Sequence, residues 1–405
     1  MKTRNGINWL ITPSVRRFIL TPVIVAAVLA ASSLGQTNKG IASSNSALTA
    51  ASFQPIGQGP KGSGAVWSRA WGVSSDGTVV GTFVTPNGVF FETRAFRWSD
   101  TNGFQDLGTL NPPDQEAEAY GVSDDGSKVV GWSRGVSGYE RPYLWTATAG
   151  MQELSEVPGS DAYAVDISRD GSVIVGAFYV DAEGSWHAFR MAGKQVTDLG
   201  FLMMGTDSKG HAVCGLGAAA VGSTVDRRGV QRAFRWKNQK MVALRHFALN
   251  AVSYAEGCSD NGKVVVGTSS DKAGNLLAAR WSPTGLLSLG TLGGNMSEAH
   301  AVSADGSIVV GAAGLPSVDG ASQFAAFRWT SAKGTEQLSK VLESLLGVNN
   351  VQFCHQVPCP AGTWFIDMAL GVSANGTVIV GTTWDPNLPF PNNEEAFRAV
   401  VPTAP

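Results

Sequence analysis

A short motif, Ala-Trp-Gly-Val-Ser-Ser-Asp-Gly-Thr-Val-Val-Gly at residues 70–81, recurs at residues 119–131, 164–176, 210–222, 255–267, 299–311 and 369–381. The closing glycines are 50, 45, 46, 45, 44 and 70 residues apart. A near-constant period means a row of like units, none of which can bury its apolar face without its neighbours. Within each copy an apolar segment, an Asp-Gly or Asn-Gly pair and a Val-Val-Gly run read as strand, tight turn and strand.

Further on in each copy stands a second signature, clearest as Ala95-Phe96-Arg97-Trp98, Ala233-Phe234-Arg235-Trp236 and Ala326-Phe327-Arg328-Trp329. Weaker forms lie at 142–145, 188–191, 278–281 and 396–399. Its aromatic alternation makes a third strand. A short fourth strand follows, at 104–108, 151–155, 196–200, 241–245 and 286–290. Four strands in about 45 residues is the signature of a propeller blade, so the expected fold is an all-β, seven-bladed β-propeller over residues 53–405.

The chain ends test ring closure. The seventh copy stops at Pro405 without a fourth strand, while Phe53-Gln54-Pro55-Ile56-Gly57 stands alone before the first copy. The N-terminal segment is therefore expected to complete the last blade, closing the ring without a bare sheet edge. The wide last gap holds an insertion, about residues 335–366. Leu338, Val341, Leu342 and Leu345 follow helical spacing there and Gly347 suits the position past a helix end, which predicts a helix over 336–346.

Residues 1–34 read as an export signal: Lys2, Arg4, Arg16 and Arg17 precede an apolar run rich in small residues. Thr21, Pro22, Ser32 and Ser33 leave that run short of the roughly 20 apolar residues of a spanning helix, so no membrane span is expected after cleavage. Residues 35–52, rich in Ser, Thr, Ala, Asn and Gly, read as a flexible spacer. The protein is expected to be secreted or periplasmic and monomeric. Without residues 1–34 it carries 26 Lys and Arg against 32 Asp and Glu, a net charge of −6, which argues against nucleic acid as a partner. Export permits disulfides. Cys354 and Cys359 bracket a loop that a disulfide would close, and pairing of Cys214 with Cys258, in adjacent copies but neighbouring columns, is left open.

Aligned on their turns, the copies share a column of small residues (Ala70, Ala119, Ala164, Gly210, Ala255, Ala299, Ala369), followed by one that varies: Trp71, Tyr120, Val165, His211, Glu256, His300 and Leu370. On the innermost strand of each blade, His211, Glu256 and His300 would be neighbours around the axis. Two readings stand. These side chains line a wet channel or hydrogen-bond within the packing, or His211, Glu256 and His300 hold a divalent metal and, with Tyr120, act as acid and base. No cofactor is required by the first reading. Trp71 and Tyr120 are the candidate binding residues at the mouth. Trp67, Trp132, Trp186, Trp364 and Trp384 also lie outside the third-strand signature, placed either to stack on sugars or to pack between blades. The Arg column (Arg97, Arg190, Arg235, Arg280, Arg328, Arg398) and the turn column (Asp76, Asp125, Asp170, Asn261, Asp305, Asn375) are regular enough for a repeated Arg-to-turn contact to explain both.

The Gly-Val-Ser-x-Asp-Gly and Ala-Phe-Arg-Trp motifs together, with His187-Ala188-Phe189, resemble the HAF-type extracellular repeat family over residues 53–401. Departures fall at Leu216-Gly217, where the turn loses its Asp, and at Leu144, which replaces Arg. The resemblance implies an exported bacterial protein and brings no reaction or binding residues with it. Nucleophile-elbow, phosphate-loop and dinucleotide motifs are missing from the sequence. The expected function is a non-catalytic binding or scaffold module for extracellular polysaccharide or protein. The alternative is a polysaccharide lyase or hydrolase with its site at the channel mouth, using Tyr120, His211, Glu256 and His300.

Overall fold

The computed structural model describes residues 50–87, 90–112, 116–202, 205–317, 323–347, 352–384 and 394–402. The export segment 1–34 and most of the spacer 35–52 lie outside the described residues. Seven four-stranded antiparallel sheets form the blades of a β-propeller. Blade 1 runs Trp67–Val73, Val79–Asn87, Phe90–Ser99 and Gly103–Asp106 from the inside outward, and blades 2 to 6 repeat it. Blade 7 takes its fourth strand from the N-terminus: Ser52–Gly57 pairs antiparallel with Glu394–Val400, Phe53 opposite Ala399.

Each innermost strand carries a bulge at the variable column, and that of blade 7 carries a second, at Asp367. Ala70 pairs with Gly81 and Gly72 with Val80, leaving Trp71 unpaired. The same skip isolates Tyr120, Val165, His211, Glu256, His300 and Leu370. The bulge also explains the closing glycine. A Cβ on Gly131 would stand 1.9 Å from the carbonyl oxygen of Glu118, and one on Gly81 2.0 Å from that of Arg69. Only glycine lets the bulged strand fold so closely over its partner.

Three sets of contacts join the blades. Apolar residues of facing sheets interlock, as where Val80 and Ala95 of blade 1 meet Ala119, Val129 and Tyr143 of blade 2. A buried serine at or near the start of an innermost strand accepts from the preceding blade: Ala188 N donates to Ser208 Oγ, Ala233 N to Ser253 Oγ and Ala278 N to Ser297 Oγ, each at 2.9 Å. Third, the arginine column reaches the next blade's turn. Arg97 donates to the carbonyl of Gly126, Arg190 to Gly217, Arg235 to Gly262 and Arg280 to Gly306, at 3.0–3.1 Å. The acceptor is the glycine carbonyl, not the turn Asp. That carboxylate is taken within its own blade, where Ser168 Oγ donates to Asp170 Oδ1 at 2.6 Å and the Ser172 N–H adds a second bond. Leu144 breaks the arginine column in blade 2, and Lys128 of the neighbouring strand fills in, its Nζ 2.9 Å from the carbonyl of Gly171.

Blade 4 departs furthest, because Cys214 and Leu216 stand where the other copies have Ser and Asp or Asn. The serine-to-turn bond is absent there, and Cys214 instead forms a disulfide with Cys258 on the innermost strand of blade 5. Cys354 and Cys359 form a second disulfide. The insertion helix runs Leu338–Leu346, two residues later than its spacing predicts, because Glu336 and Gln337 finish the fourth strand of blade 6. Leu338 and Leu342 are buried with Phe353 and Ile366, Leu345 is exposed, and Gly347 ends the helix at φ 75°.

Candidate functional site

In an antiparallel meander the innermost strand starts on the face that also carries the loops between second and third strands and the links between blades, the connection face. Around the axis His211 and Glu256 are brought together as expected: His211 Nδ1 lies 3.2 Å from Glu256 Oε2 and 3.1 Å from the carbonyl of Ala255. A carbonyl only accepts, so Nδ1 carries a proton, while Nε2 lies 3.3 Å from Ser223 Oγ. His211 is thus buried with both ring nitrogens engaged.

His300 is one blade further on, and its Nε2 is buried without a hydrogen-bond partner. Burial lowers its pKa to about 4, with Arg69 adding to the effect and Glu256 opposing it. Burial alone would raise the Glu256 pKa, but His211 and His300 outweigh it and hold the carboxyl below its usual value. Among the described residues, no three His, Cys, Asp or Glu side chains converge in an arrangement that could hold a metal ion.

Trp71 and Tyr120 meet edge to face at 5.7 Å between ring centroids. Trp71 Nε1 donates to Thr82 Oγ1 at 3.1 Å. The Tyr120 hydroxyl donates to Glu118 Oε2 at 2.5 Å and accepts from Trp132 Nε1 at 3.1 Å. Tyr120 therefore sits in a fixed network, and its pKa is pushed well above the ordinary tyrosine value by burial and then by Glu118.

The sequence reading missed a second variable column, two positions before each bulge: Arg69, Glu118, Tyr163, Lys209, Tyr254, Glu298 and Met368. Its signal was present in the same alignment, just ahead of the small-residue column. Arg69 pairs with Glu394, Nε to Oε1 3.1 Å, and lies over the Trp71 ring at 5.3 Å. Lys209 Nζ sits 5.1 Å from the Trp186 ring centre. Glu298 is pushed up to about 7 by burial and by Glu256. At the start of the third strand of blade 2, Glu140 is also pushed up to about 7, by burial and then by Asp161 and Glu118.

Two further histidine groups lie outside the axis. His187 Nδ1 is 2.7 Å from Asp198 Oδ2, tying the third strand of blade 3 to its fourth. Ser339 Oγ is 2.9 Å from His355 Nδ1, and His355 Nε2 is 2.9 Å from Glu343 Oε2. The connectivity is that of nucleophile, base and orienting acid, but Ser339 is only 2% exposed. A nucleophile must meet its substrate, so this trio fastens the insertion to its helix.

No family model and no curated protein matches the chain. Solved structures do resemble it. The oligogalacturonate lyase of Vibrio parahaemolyticus aligns at 9% identity over 87% of this chain and 97% of that one, with a TM-score of 0.54. The β-propeller domain of the Trilobed protease of Pyrococcus furiosus, described as having an open velcro topology, aligns at 9% identity over 84% and 98%, with a TM-score of 0.53. TolB of Acinetobacter baumannii shares 15% identity at a TM-score of 0.45, and the chain spans 62% of that structure's length. At these identities the likeness of the first two is one of fold. Among the described residues no helix is long and apolar enough to cross a membrane.

Proposed function

We propose that this is an exported, non-catalytic propeller that binds extracellular polysaccharide or protein at the axial mouth of its connection face. The observation that supports this reading is where the repeat stops repeating. The arginine, serine and turn-Asp columns are consumed in joining blades and pinning turns. The two variable columns instead set the unlike residues Trp71, Tyr120, Arg69, Glu118, Lys209 and Glu298 on the innermost strands around the axis. A repeated scaffold with a non-repeating mouth presents a site without altering its frame. Export rests on residues 1–34 and on the HAF-type resemblance.

Glycan arrays and partner capture with the signal-free chain test the proposal. A ligand whose binding weakens at least tenfold in Trp71→Ala, with melting temperature preserved, supports it. Retained binding in that variant places the ligand elsewhere.

The enzymatic alternative, a polysaccharide lyase or hydrolase, is favoured by one observation. Glu256 is held ionised beside Glu298, whose carboxyl burial pushes up to about 7, and carboxyls with divided pKa values are how one site supplies both base and acid. Release of reducing ends or unsaturated products from acidic and neutral polysaccharides, abolished in Glu298→Gln, is the outcome that would establish it.

A further inference from the structure

The outer strands of blades 4 and 5 break a regularity that blades 1, 2 and 3 keep. In those three the fourth strand ends on an acid, Asp106, Glu153 and Asp198, opposite the aromatic residue of the third-strand signature. Each acid meets a basic residue of its own third strand: Arg94 with Asp106 at 2.6 Å, Arg141 with Glu153 at 2.8 Å and His187 with Asp198 at 2.7 Å. In blades 4 and 5 the same position holds Ala243 and Ser288. Residues 227–255 carry seven Lys and Arg and not one Asp or Glu, in a chain of net negative charge, and residues 272–297 of blade 5 also lack acids.

Two of the seven are engaged inside the ring, Arg232 by Asp226 and the carbonyl of Ala251, and Arg235 by the carbonyl of Gly262. Arg227, Arg228, Lys237, Lys240 and Arg245 are exposed, and among the described residues none of the five has a carboxylate partner. Lys237 and Lys240 stand directly opposite each other across the turn into the fourth strand, and like charges so placed destabilise a hairpin. Asn238 and Gln239 hold that turn at φ 51° and 58°, a region costly for a residue such as Gln. At the other end of the edge, Arg228 Nη1 donates to Asn250 Oδ1 at 3.2 Å, which ties the Arg227-Arg228 hairpin to the link that carries Arg245. The carbonyl of Arg245 in turn accepts from Trp281 Nε1 of blade 5 at 2.6 Å. Leu244 N donates to the carbonyl of Ala233 at 2.9 Å and keeps the edge extended beyond Ala243. Lys240 to Arg245 therefore covers about 17 Å.

Cations spread along a bare outer strand fit a ligand that bears negative charge on every unit, and such a ligand needs no pocket. Ammonium and guanidinium groups pair well with carboxylates. A protein partner would want an aromatic anchor at the centre of the contact, but Phe234, Trp236 and Tyr254 are buried and Phe247 packs against the core of blades 4 and 5. The excess of acids elsewhere on the chain repels a polyanion and guides it to this edge.

We propose that the outer rim of blade 4 is a docking strip for a carboxylate-bearing polysaccharide, laid along the fourth strand from Lys237 and Lys240 to Arg245, Arg227 and Arg228. The strip is separate from the axial mouth, so either site can fail without the other.

Calorimetry on the signal-free chain tests this with mannuronate oligosaccharides, neutral mannose oligosaccharides, polyglutamate and phosphatidylglycerol vesicles. Expected is binding of the mannuronate chains alone, weakening with added salt and falling about tenfold in both Lys237→Gln/Lys240→Gln and Arg227→Gln/Arg228→Gln. Both variants should keep the wild-type melting temperature, since neither removes an ion pair. Lys61→Gln/Lys333→Gln removes the same charge from exposed lysines elsewhere on the chain and should bind as wild type does. An equal loss in that control, unchanged binding in either rim variant, or no binding of mannuronate overturns the proposal. Equal binding of the mannose chains, of polyglutamate or of the vesicles overturns the choice of an acidic polysaccharide. A matching loss in Trp71→Ala places the polymer at the mouth, which overturns the rim site and leaves the binding reading standing.

Discussion

Blade 4 has exchanged the serine and Asp of its turn for a covalent bond, so removing that bond should expose how much the exchange is worth. In blade 3 the corresponding serine accepts the Val173 N–H at 2.9 Å and donates to Asp170. Cys214 and Leu216 offer neither bond, and the Cys214–Cys258 disulfide closes a loop of sequence separation 44. On the chain-entropy model, a loss of 2.1 plus 1.5R ln 44 is about 13 cal/mol/K, or about 4 kcal/mol at 25 °C. The Cys354–Cys359 loop, separation 5, comes to about 2 kcal/mol by the same rule. Blades 4 and 5 keep the Arg235 bond to Gly262 and the Ser253 stitch when the disulfide goes, so the loss should lie in the denatured chain. Guanidinium unfolding followed by tryptophan fluorescence should therefore show Cys214→Ser/Cys258→Ser about 4 kcal/mol less stable than wild type. Adding Leu216→Asp to that variant rebuilds the turn of the other copies and should return about 1 kcal/mol. A loss under about 1 kcal/mol for the double variant, or a larger loss for Cys354→Ser/Cys359→Ser, would refute the reasoning.

Three further outcomes follow from the same contacts. Glu140 is raised from 4.5 to about 7 in the fold, so the fold prefers its neutral form. That contribution is fully present below pH 4.5 and is lost as pH rises through 7, at most about 3 kcal/mol; Glu140→Gln should flatten the fall in melting temperature between pH 5 and 8, and an unchanged slope would count against it. Lys128→Met should cost about 1 kcal/mol by removing the bond to Gly171, and Leu144→Arg in the same chain should restore it by returning blade 2 to the arginine pattern, as read by denaturation midpoints. Chelation should leave the melting temperature unmoved, because both nitrogens of His211 are already engaged; a stoichiometric ion lost in His211→Ala/His300→Ala would reverse that view.

How much of the site was legible can be judged residue by residue. Equivalent positions on successive innermost strands must be neighbours in a ring, so His211 beside Glu256 followed from the repeat. That His211 donates to the carbonyl of Ala255 and meets Ser223 did not, since it depends on the bulge that turns the residue toward the next blade. The column holding Arg69, Glu118, Lys209 and Glu298 was visible in the alignment, yet only the packing shows what it meets, Arg69 pairing with Glu394 and Lys209 lying over the Trp186 ring. Glu140 stands outside the repeated motifs altogether. Its raised pKa arises from burial and from Asp161, which belongs to another blade.

The seven-bladed ring, its four-stranded blades and the N-terminal strand that closes it were determined by the sequence alone, because periodic strands, turn glycines and an orphan fourth strand admit one way to bury every blade. Tertiary structure decided what each column is for. The arginines bind glycine carbonyls because the next blade's turn presents its backbone there and keeps its Asp for its own serine. Cys214 meets Cys258 because the packing of blades 4 and 5 brings their innermost strands to a Cα separation of 5.4 Å. The mouth acquires its charges because burial and neighbouring carboxylates, which no linear reading contains, set which acids stay protonated.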